Sequence, residues 1–184
     1  MKDTKNTGTD RARELFLKYA GNRFFMDREG DGNEYDNYHI SKETEAMWAD
    51  EFIKDFLESD IQGREALRTY ATAVELVKYG KQEEWQSCLY YPLQTKQLDD
   101  VTVLFLLPYS FRMAERAAGK QKLSKETTDA YIHQLDVLIL QLQERVENGT
   151  LSRSEDYILQ EFSDPVYTIG YLAEIKKKWL SLLR

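Results

Sequence analysis

Val101–Phe111 reads VTVLFLLPYSF, and whether this stretch is a helix or a strand decides the class of the protein. Its first three residues include two β-branched valines, and a short apolar run cannot be assigned by periodicity alone. A buried strand over Val101–Leu107 is therefore one reading. Helix is preferred, because no second strand-like run exists to pair with it, and an unpaired strand leaves its backbone groups without partners. Asp99 or Asp100 can cap such a helix, which continues to Ala118 with Gly119 after it. Pro108 is then expected to kink it near Leu104 to Pro108, since proline removes one hydrogen bond and collides with the preceding turn.

The flanking sequence is also helical. Downstream, Ser124 caps the longest element, in which Tyr131, Leu135, Leu138, Ile139, Leu142 and Val146 form a stripe that Gly149 ends. Ser152 and Glu155 have the spacing of a capping box for a shorter helix through Tyr157, Ile158 and Phe162. Asp164-Pro165 opens the last helix, whose inward face is Leu172, Ile175, Trp179 and Leu182. Upstream, a helix starting near Thr9 or Asp10 carries Leu15, Phe16 and Tyr19 and stops at Gly21. Ser41 caps another with Trp48, Phe52, Ile53, Phe56 and Leu57 in register, and Gly63 and Gly80 bracket a third holding Leu67, Tyr70, Val74 and Val77. A short helix with Trp85, Cys88 and Leu89 is expected to end before Pro92, because the residue preceding proline disfavours helical angles. The expectation is an all-α protein, a single compact bundle of about seven to eight helices. Residues 1–8 form a flexible tail, residues 9–184 one helical domain, and one long ordered loop lies near residues 21–41.

Composition narrows the function classes. The chain has 184 residues, 32 acidic and 25 basic, for a net charge of −7. That field repels a phosphate backbone or an anionic membrane, so neither nucleic acid nor a membrane is expected as partner. The basic run Lys176, Lys177 and Lys178 suits the negative end of a helix dipole. The eleven residues of Val101–Phe111 fall well short of the roughly 20 needed to span a bilayer. A single cysteine, Cys88, allows no intrachain disulfide, and the first residues lack the apolar core of a secretory signal, so cytoplasmic residence is expected. The acceptor pattern Asn148-Gly149-Thr150 then has no consequence.

Gly21–Ser41, GNRFFMDREGDGNEYDNYHIS, is the longest stretch that resists a helical reading. Long irregular segments inside compact domains are usually functional or disordered, and its four aromatics, Phe24, Phe25, Tyr35 and Tyr38, argue for order. Asp27-x-Glu29-x-Asp31-Gly32 matches the opening of an EF-hand loop, which makes Asp27, Glu29, Asp31 and Glu34 candidates for a weak Ca2+ or Mg2+ contact. Yet Tyr38 stands where the closing bidentate Glu belongs, and Glu34 where an apolar residue is usual. For recognition of a protein partner the candidates are Phe24, Phe25, Asp27, Glu29, Asp31, Tyr35, Tyr38 and His39.

Other constellations are weaker. His133 shares a helical face with Asp129 and Asp136, opposite the apolar stripe and so towards water. Cys88 lies among apolar residues and has no histidine near it in sequence. Tyr109, Arg112 and Arg116 can share a face and hold an anion. No GxSxG, P-loop, GxGxxG, HExxH or paired CxxC is present, which removes the commoner readable chemistries. Twelve tyrosines and three tryptophans suit a surface that meets another protein. The expectation is a protein-interaction or regulatory module using an acidic, tyrosine-rich surface. The alternative is a small-molecule or metal-dependent enzyme with its site under the 21–41 loop, using His39, the loop carboxylates and Arg112.

Overall fold

The Asp99 carboxylate accepts hydrogen bonds from the Thr102 amide at 2.9 Å and the Thr102 hydroxyl at 2.6 Å, and this cap turns the ambiguous run into a helix. The computed structural model describes residues 4–80, 82–95, 98–118, 123–153, 162 and 164–182, and among them there is no strand. The described helices are α1 Thr4–Lys18, α2 Arg23–Arg28, α3 Gly32–Asp36, α4 Lys42–Glu58, α5 Gly63–Leu76, α6 Gln82–Gln94, α7 Asp100–Ala118, α8 Lys125–Glu147 and α9 Pro165–Ser181. The chain is an all-α bundle. Three further caps are those the sequence names, with Ser41 accepting from Thr44 N–H, Ser124 from Thr127 N–H and Asp164 from Val166 N–H.

α7 is the element the others surround, packed against α5, α6 and α9. Val101, Leu104, Leu106 and Leu107 are wholly buried, and Phe105 is only partly exposed. The long α8 packs on α9 and α6 and leaves Val137 and Leu140 in solvent. One buried cluster includes Phe16, Trp48, Phe56, Tyr70, Leu104, Tyr131 and Trp179, so residues from α1, α4, α5, α7, α8 and α9 share it. Within it the Tyr131 and Trp179 rings stack at 3.7 Å and 15°.

The prolines explain a departure from expectation. α6 does not stop before Pro92 but runs through it to Gln94, and α7 runs through Pro108. A proline inside a helix leaves the carbonyl four residues earlier without its amide partner, and a buried orphan of that kind is costly. Those carbonyls belong to Cys88 and Leu104. The Tyr70 hydroxyl on α5 donates to the Cys88 carbonyl at 2.9 Å, and the Tyr171 hydroxyl on α9 donates to the Leu104 carbonyl at 2.9 Å. Each tyrosine replaces the missing amide and ties its own helix to the neighbour.

The ends of α7 and α8 are held together by a reciprocal clasp. The Asp100 carboxylate accepts from the Ser152 amide at 2.8 Å and from the Arg145 guanidinium, while the Ser152 hydroxyl accepts from the Asp100 amide at 2.9 Å. Ser152 therefore serves the start of α7. Its expected partner Glu155 and the helix through Tyr157 and Ile158 lie outside the described residues.

Two boundaries near the start of the chain also differ. α1 begins at Thr4 rather than near Thr9 or Asp10. Residues 21–41 are ordered, but as the two short helices α2 and α3 rather than irregular backbone. The glycines limit helix length there without forbidding helix. Gly30, at φ +86°, closes α2, with the Asp31 amide bonding the Met26 carbonyl at 2.9 Å and the Gly30 amide the Asp27 carbonyl at 3.2 Å, the double bond pattern of a left-handed helix end.

Candidate functional site

The α2–α3 arm is built from a buried underside and an aromatic outer edge. Asn22 caps α2 by accepting from the Phe25 amide, and the six residues that follow, RFFMDR, place Met26 fully inside. Phe24 and Phe25 face outward, 70% and 40% exposed, with their rings edge-on at 5.7 Å. The Arg28 guanidinium lies 4.9 Å from the Phe25 ring centre and pairs with Glu29 at 2.9 Å. Both ends of the arm are left-handed, at Ala20 and Gly21 and again at His39. Ala20 occupies the helix-ending position expected of Gly21. Gly21 is needed for another reason, since a Cβ there would stand 2.4 Å from the Tyr79 hydroxyl, which donates to the Gly21 carbonyl at 2.7 Å.

Charges fasten the arm to α1 and α4. Glu34 accepts from Arg11 at 2.9 Å and from the Tyr38 hydroxyl at 3.1 Å. Asp31 accepts from the Tyr19 hydroxyl at 2.5 Å and from Lys18 at 2.9 Å. Arg23 bonds the Gly32 carbonyl and Asp36, and its guanidinium covers the Tyr35 ring at 5.5 Å. Tyr35 is only 5% exposed, and its hydroxyl donates to Glu45 of α4 at 2.7 Å. The Tyr19 hydroxyl and then Lys18 hold the Asp31 carboxyl below its ordinary range, and Arg11 does the same for Glu34. The Lys18 ammonium is raised by Tyr19 and Asp31, and the Arg11 guanidinium chiefly by Glu34. Burial, followed by the bond to Glu45, pushes the Tyr35 phenol up.

This geometry sorts the candidate residues. Phe24, Phe25, Asp27, Glu29 and His39 are exposed, whereas Asp31 and Tyr38 are half-buried ties and Tyr35 belongs to the core. The surface is therefore not tyrosine-rich, for among the tyrosines whose burial is described only Tyr167 is exposed. Burial and hydroxyl bonding use the ring and the polar tip together, as at Tyr35, Tyr70 and Tyr131. Asp27, Glu29, Asp31 and Glu34 do not converge, and among the described residues no three His, Cys, Asp or Glu side chains stand where they could share a metal ion. The Asp27-to-Gly32 pattern has a packing role, because a Cβ on Gly32 would fall 1.8 Å from an Asp27 carboxylate oxygen.

Tyr109, Arg112 and Arg116 are on one helix but do not form an open anion site. Arg112 lies over the Tyr109 ring at 5.5 Å, and Arg116 pairs with Glu75 at 2.6 Å. Cys88 is wholly buried, and burial pushes its thiol up, the reverse of what a nucleophile needs. Asp136 is bound to Lys176 of α9 at 2.9 Å.

Phe25 stands between two open depressions. One, about 470 Å³, is lined by Lys18, Tyr19, Phe25, Arg28, Glu29 and Asp31. The other, about 420 Å³, shares Lys18, Tyr19 and Phe25 and adds Thr72, Glu75 and Arg116. Lys18 and Tyr19 are not among the candidate site residues read from the sequence, where Tyr19 belongs only to the face of the first helix, and no local signal adds Thr72 and Glu75, which come from α5. No protein-family model matches the chain, and no curated protein or solved structure gives a significant match. Among the described residues, no helix is long and apolar enough to cross a membrane. Fold and site together define an all-α bundle with a polar-fastened arm that displays two phenylalanine rings.

Proposed function

We propose that this protein is a protein-interaction or regulatory module whose α2 presents Phe24 and Phe25 to an apolar cleft on a protein partner. The observation that carries the reading is the exposure of two adjacent phenylalanines on a helix of six residues whose Met26 is wholly buried. Large aromatic side chains left in water cost free energy that a partner recovers by covering them. The buried Met26 and the charge ties hold the rings in place before binding, which lowers the entropy lost on association. Arg28 and Glu29 at the edge suit a polar rim.

The space under the arm weighs against the enzyme alternative. Met26 and Tyr35 fill it, and the depressions beside Phe25 are open to solvent rather than enclosed. His39 is exposed at the far end of the arm, with no acid or nucleophile bonded to it among the described residues.

The test is affinity capture from the native host with mass spectrometry, comparing wild type with Phe24→Ala/Phe25→Ala. Burying both rings in a cleft contributes about 2–4 kcal/mol, so the double variant should weaken capture roughly 30- to 1,000-fold. Its melting temperature should stay at the wild-type value, because both rings are on the surface. Capture of the same partner at undiminished strength by the double variant would remove the arm from the interface.

A further inference from the structure

The turn that ends α8 places a reactive pair in solvent. Asn148, Gly149 and Thr150 are all exposed, and the Asn148 side chain makes no hydrogen bond among the described residues. Gly149 follows at φ +66° with nothing within 4 Å of where a Cβ would stand. An asparagine side-chain amide is an electrophile, and the next backbone nitrogen closes on it most readily when no side chain crowds that nitrogen. Asn6, Asn22, Asn33 and Asn37 each precede a residue that bears a side chain, and Asn22 is also engaged in capping α2. Asp31-Gly32 has the spacing to close the same ring with loss of water, but Tyr19 and Lys18 hold the Asp31 carboxylate and Gly32 is buried.

The step needs no co-reactant but water. The Gly149 nitrogen bonds to the carbonyl carbon of the Asn148 side chain and gives its proton to solvent. The bond from that carbon to Nδ2 breaks, and the nitrogen takes a proton from solvent and leaves as ammonia. Water then opens the resulting succinimide at either carbonyl. One opening gives an aspartyl residue at position 148. The other gives an isoaspartyl residue, whose main chain runs through the former side chain and is longer by one methylene. In the folded chain Asn148 has ψ −3°, the Gly149 N–H donates to the Val146 carbonyl at 3.2 Å and the Thr150 N–H to the Arg145 carbonyl at 2.8 Å. The nitrogen is thereby turned away from the side chain, so ring closure waits for these two bonds to open, and helix ends open at low free energy.

The added methylene falls just before a structural tie. Ser152 donates its amide to Asp100, while its hydroxyl and carbonyl accept from the Asp100 and Val101 amides at 2.9 and 3.3 Å. Either product also adds a carboxylate to the turn that holds Glu144 and Glu147, at the negative end of α8, where Arg145 is already engaged by Asp100.

We propose that Asn148 is a site of self-modification, at which the chain loses ammonia through a succinimide with Gly149 and the isoaspartyl product loosens the clasp between α7 and α8. The full chain is incubated at neutral pH, and peptide mapping by mass spectrometry follows every asparagine beside a free peptide of residues 143–153. Asn148 should convert first, about 5- to 30-fold more slowly than in the peptide, as the opening of two hydrogen bonds requires. Asn148→Gln, which would have to close a larger ring, should lose this early release of ammonia. The isoaspartyl fraction, separated by ion exchange, should show hydrogen exchange at the Asp100, Val101 and Ser152 amides about tenfold faster or more. Asn148→Asp carries the charge without the methylene and should leave those amides near the wild-type rate. Position 148 is exposed, and far-UV circular dichroism establishes that both variants keep their helices. Earlier conversion of any other asparagine, or slowing beyond about 100-fold relative to the peptide, overturns the site. Unchanged exchange in the isoaspartyl fraction overturns the effect on the clasp, and equal acceleration in Asn148→Asp overturns the role of the added methylene.

Discussion

The strongest quantitative prediction concerns Tyr70 and Pro92. Pro92 lies inside α6 and has no amide for the Cys88 carbonyl, which the Tyr70 hydroxyl meets at 2.9 Å. Tyr70 and Cys88 are both wholly buried, so no water reaches the carbonyl when the hydroxyl is removed. Burial pushes the Tyr70 phenol well above its ordinary value, so it remains a protonated donor throughout the accessible pH range. Tyr70→Phe keeps the ring and its contacts with Phe56 and Tyr91 but strands a buried acceptor. That costs about 2 kcal/mol, or about 4–8 °C in melting temperature for a chain of this size. The diagnostic is the dependence on Pro92. Pro92→Ala supplies an amide at the position where a regular helix would bond the Cys88 carbonyl, so Tyr70→Phe should cost about 1 kcal/mol less in that background. Urea denaturation of the four proteins of this cycle measures the coupling, and any cavity made by removing the proline ring cancels within it. Additive effects within about 0.5 kcal/mol would refute the view that the hydroxyl replaces the missing amide.

Gly149→Ala, at φ +66° with nothing within 4 Å of the new Cβ, should cost about 1 kcal/mol for left-handed backbone alone. Gly21→Ala has the same φ but drives a Cβ to 2.4 Å from the Tyr79 hydroxyl, and should cost about 3 kcal/mol or more in thermal denaturation because it also breaks the bond to the Gly21 carbonyl. Asp31 and Glu34 have lowered folded-state pKa values. Their contribution is therefore present above the ordinary carboxylate range near pH 4 and disappears as pH falls through the lowered values. Lys18 and Arg11 are raised, so theirs is complete below the ordinary lysine value of about 10.4 and disappears only in stronger alkali. The side-chain carboxyl resonances of Asp31 and Glu34 should thus hold steady from about pH 9 down through the ordinary carboxylate range near pH 4 and move only at lower pH, together with the amide shifts of the residues they fasten. Titration of either carboxyl at or above about pH 4 would show that these ties do not fasten the arm.

Helix content and most caps were legible because they depend on near neighbours. Ser41, Ser124 and Asp164 each bond an amide two or three residues on, and Gly149 ends α8 through its own left-handed backbone. Phe24 and Phe25, recognition candidates from composition, are exposed. Tyr35, named alongside them, is buried because Glu45 receives its hydroxyl from ten residues away. The carboxylates of the calcium-like pattern are used by Arg11, Lys18 and Tyr19, and a local motif holds no information about which cations the preceding helix brings to it.

By itself, then, the sequence determined the all-α class, the helix starts at Ser41, Asp99, Ser124 and Asp164, the buried course of Val101–Leu107 and the position of the arm, since hydrophobic period and capping act over a few residues. Only the tertiary structure decided that α6 continues through Pro92, that Ser152 caps α7, that α7 rather than α8 is enclosed, and that the outward edge of the arm is phenylalanine rather than tyrosine. Each of these rests on a donor, acceptor or covering surface from a distant part of the chain, such as Tyr70 for the Cys88 carbonyl and Tyr171 for the Leu104 carbonyl. A proline is read locally as a helix stop because its orphaned carbonyl has no partner nearby. Folding supplies that partner from another helix, and the stop becomes a point of attachment.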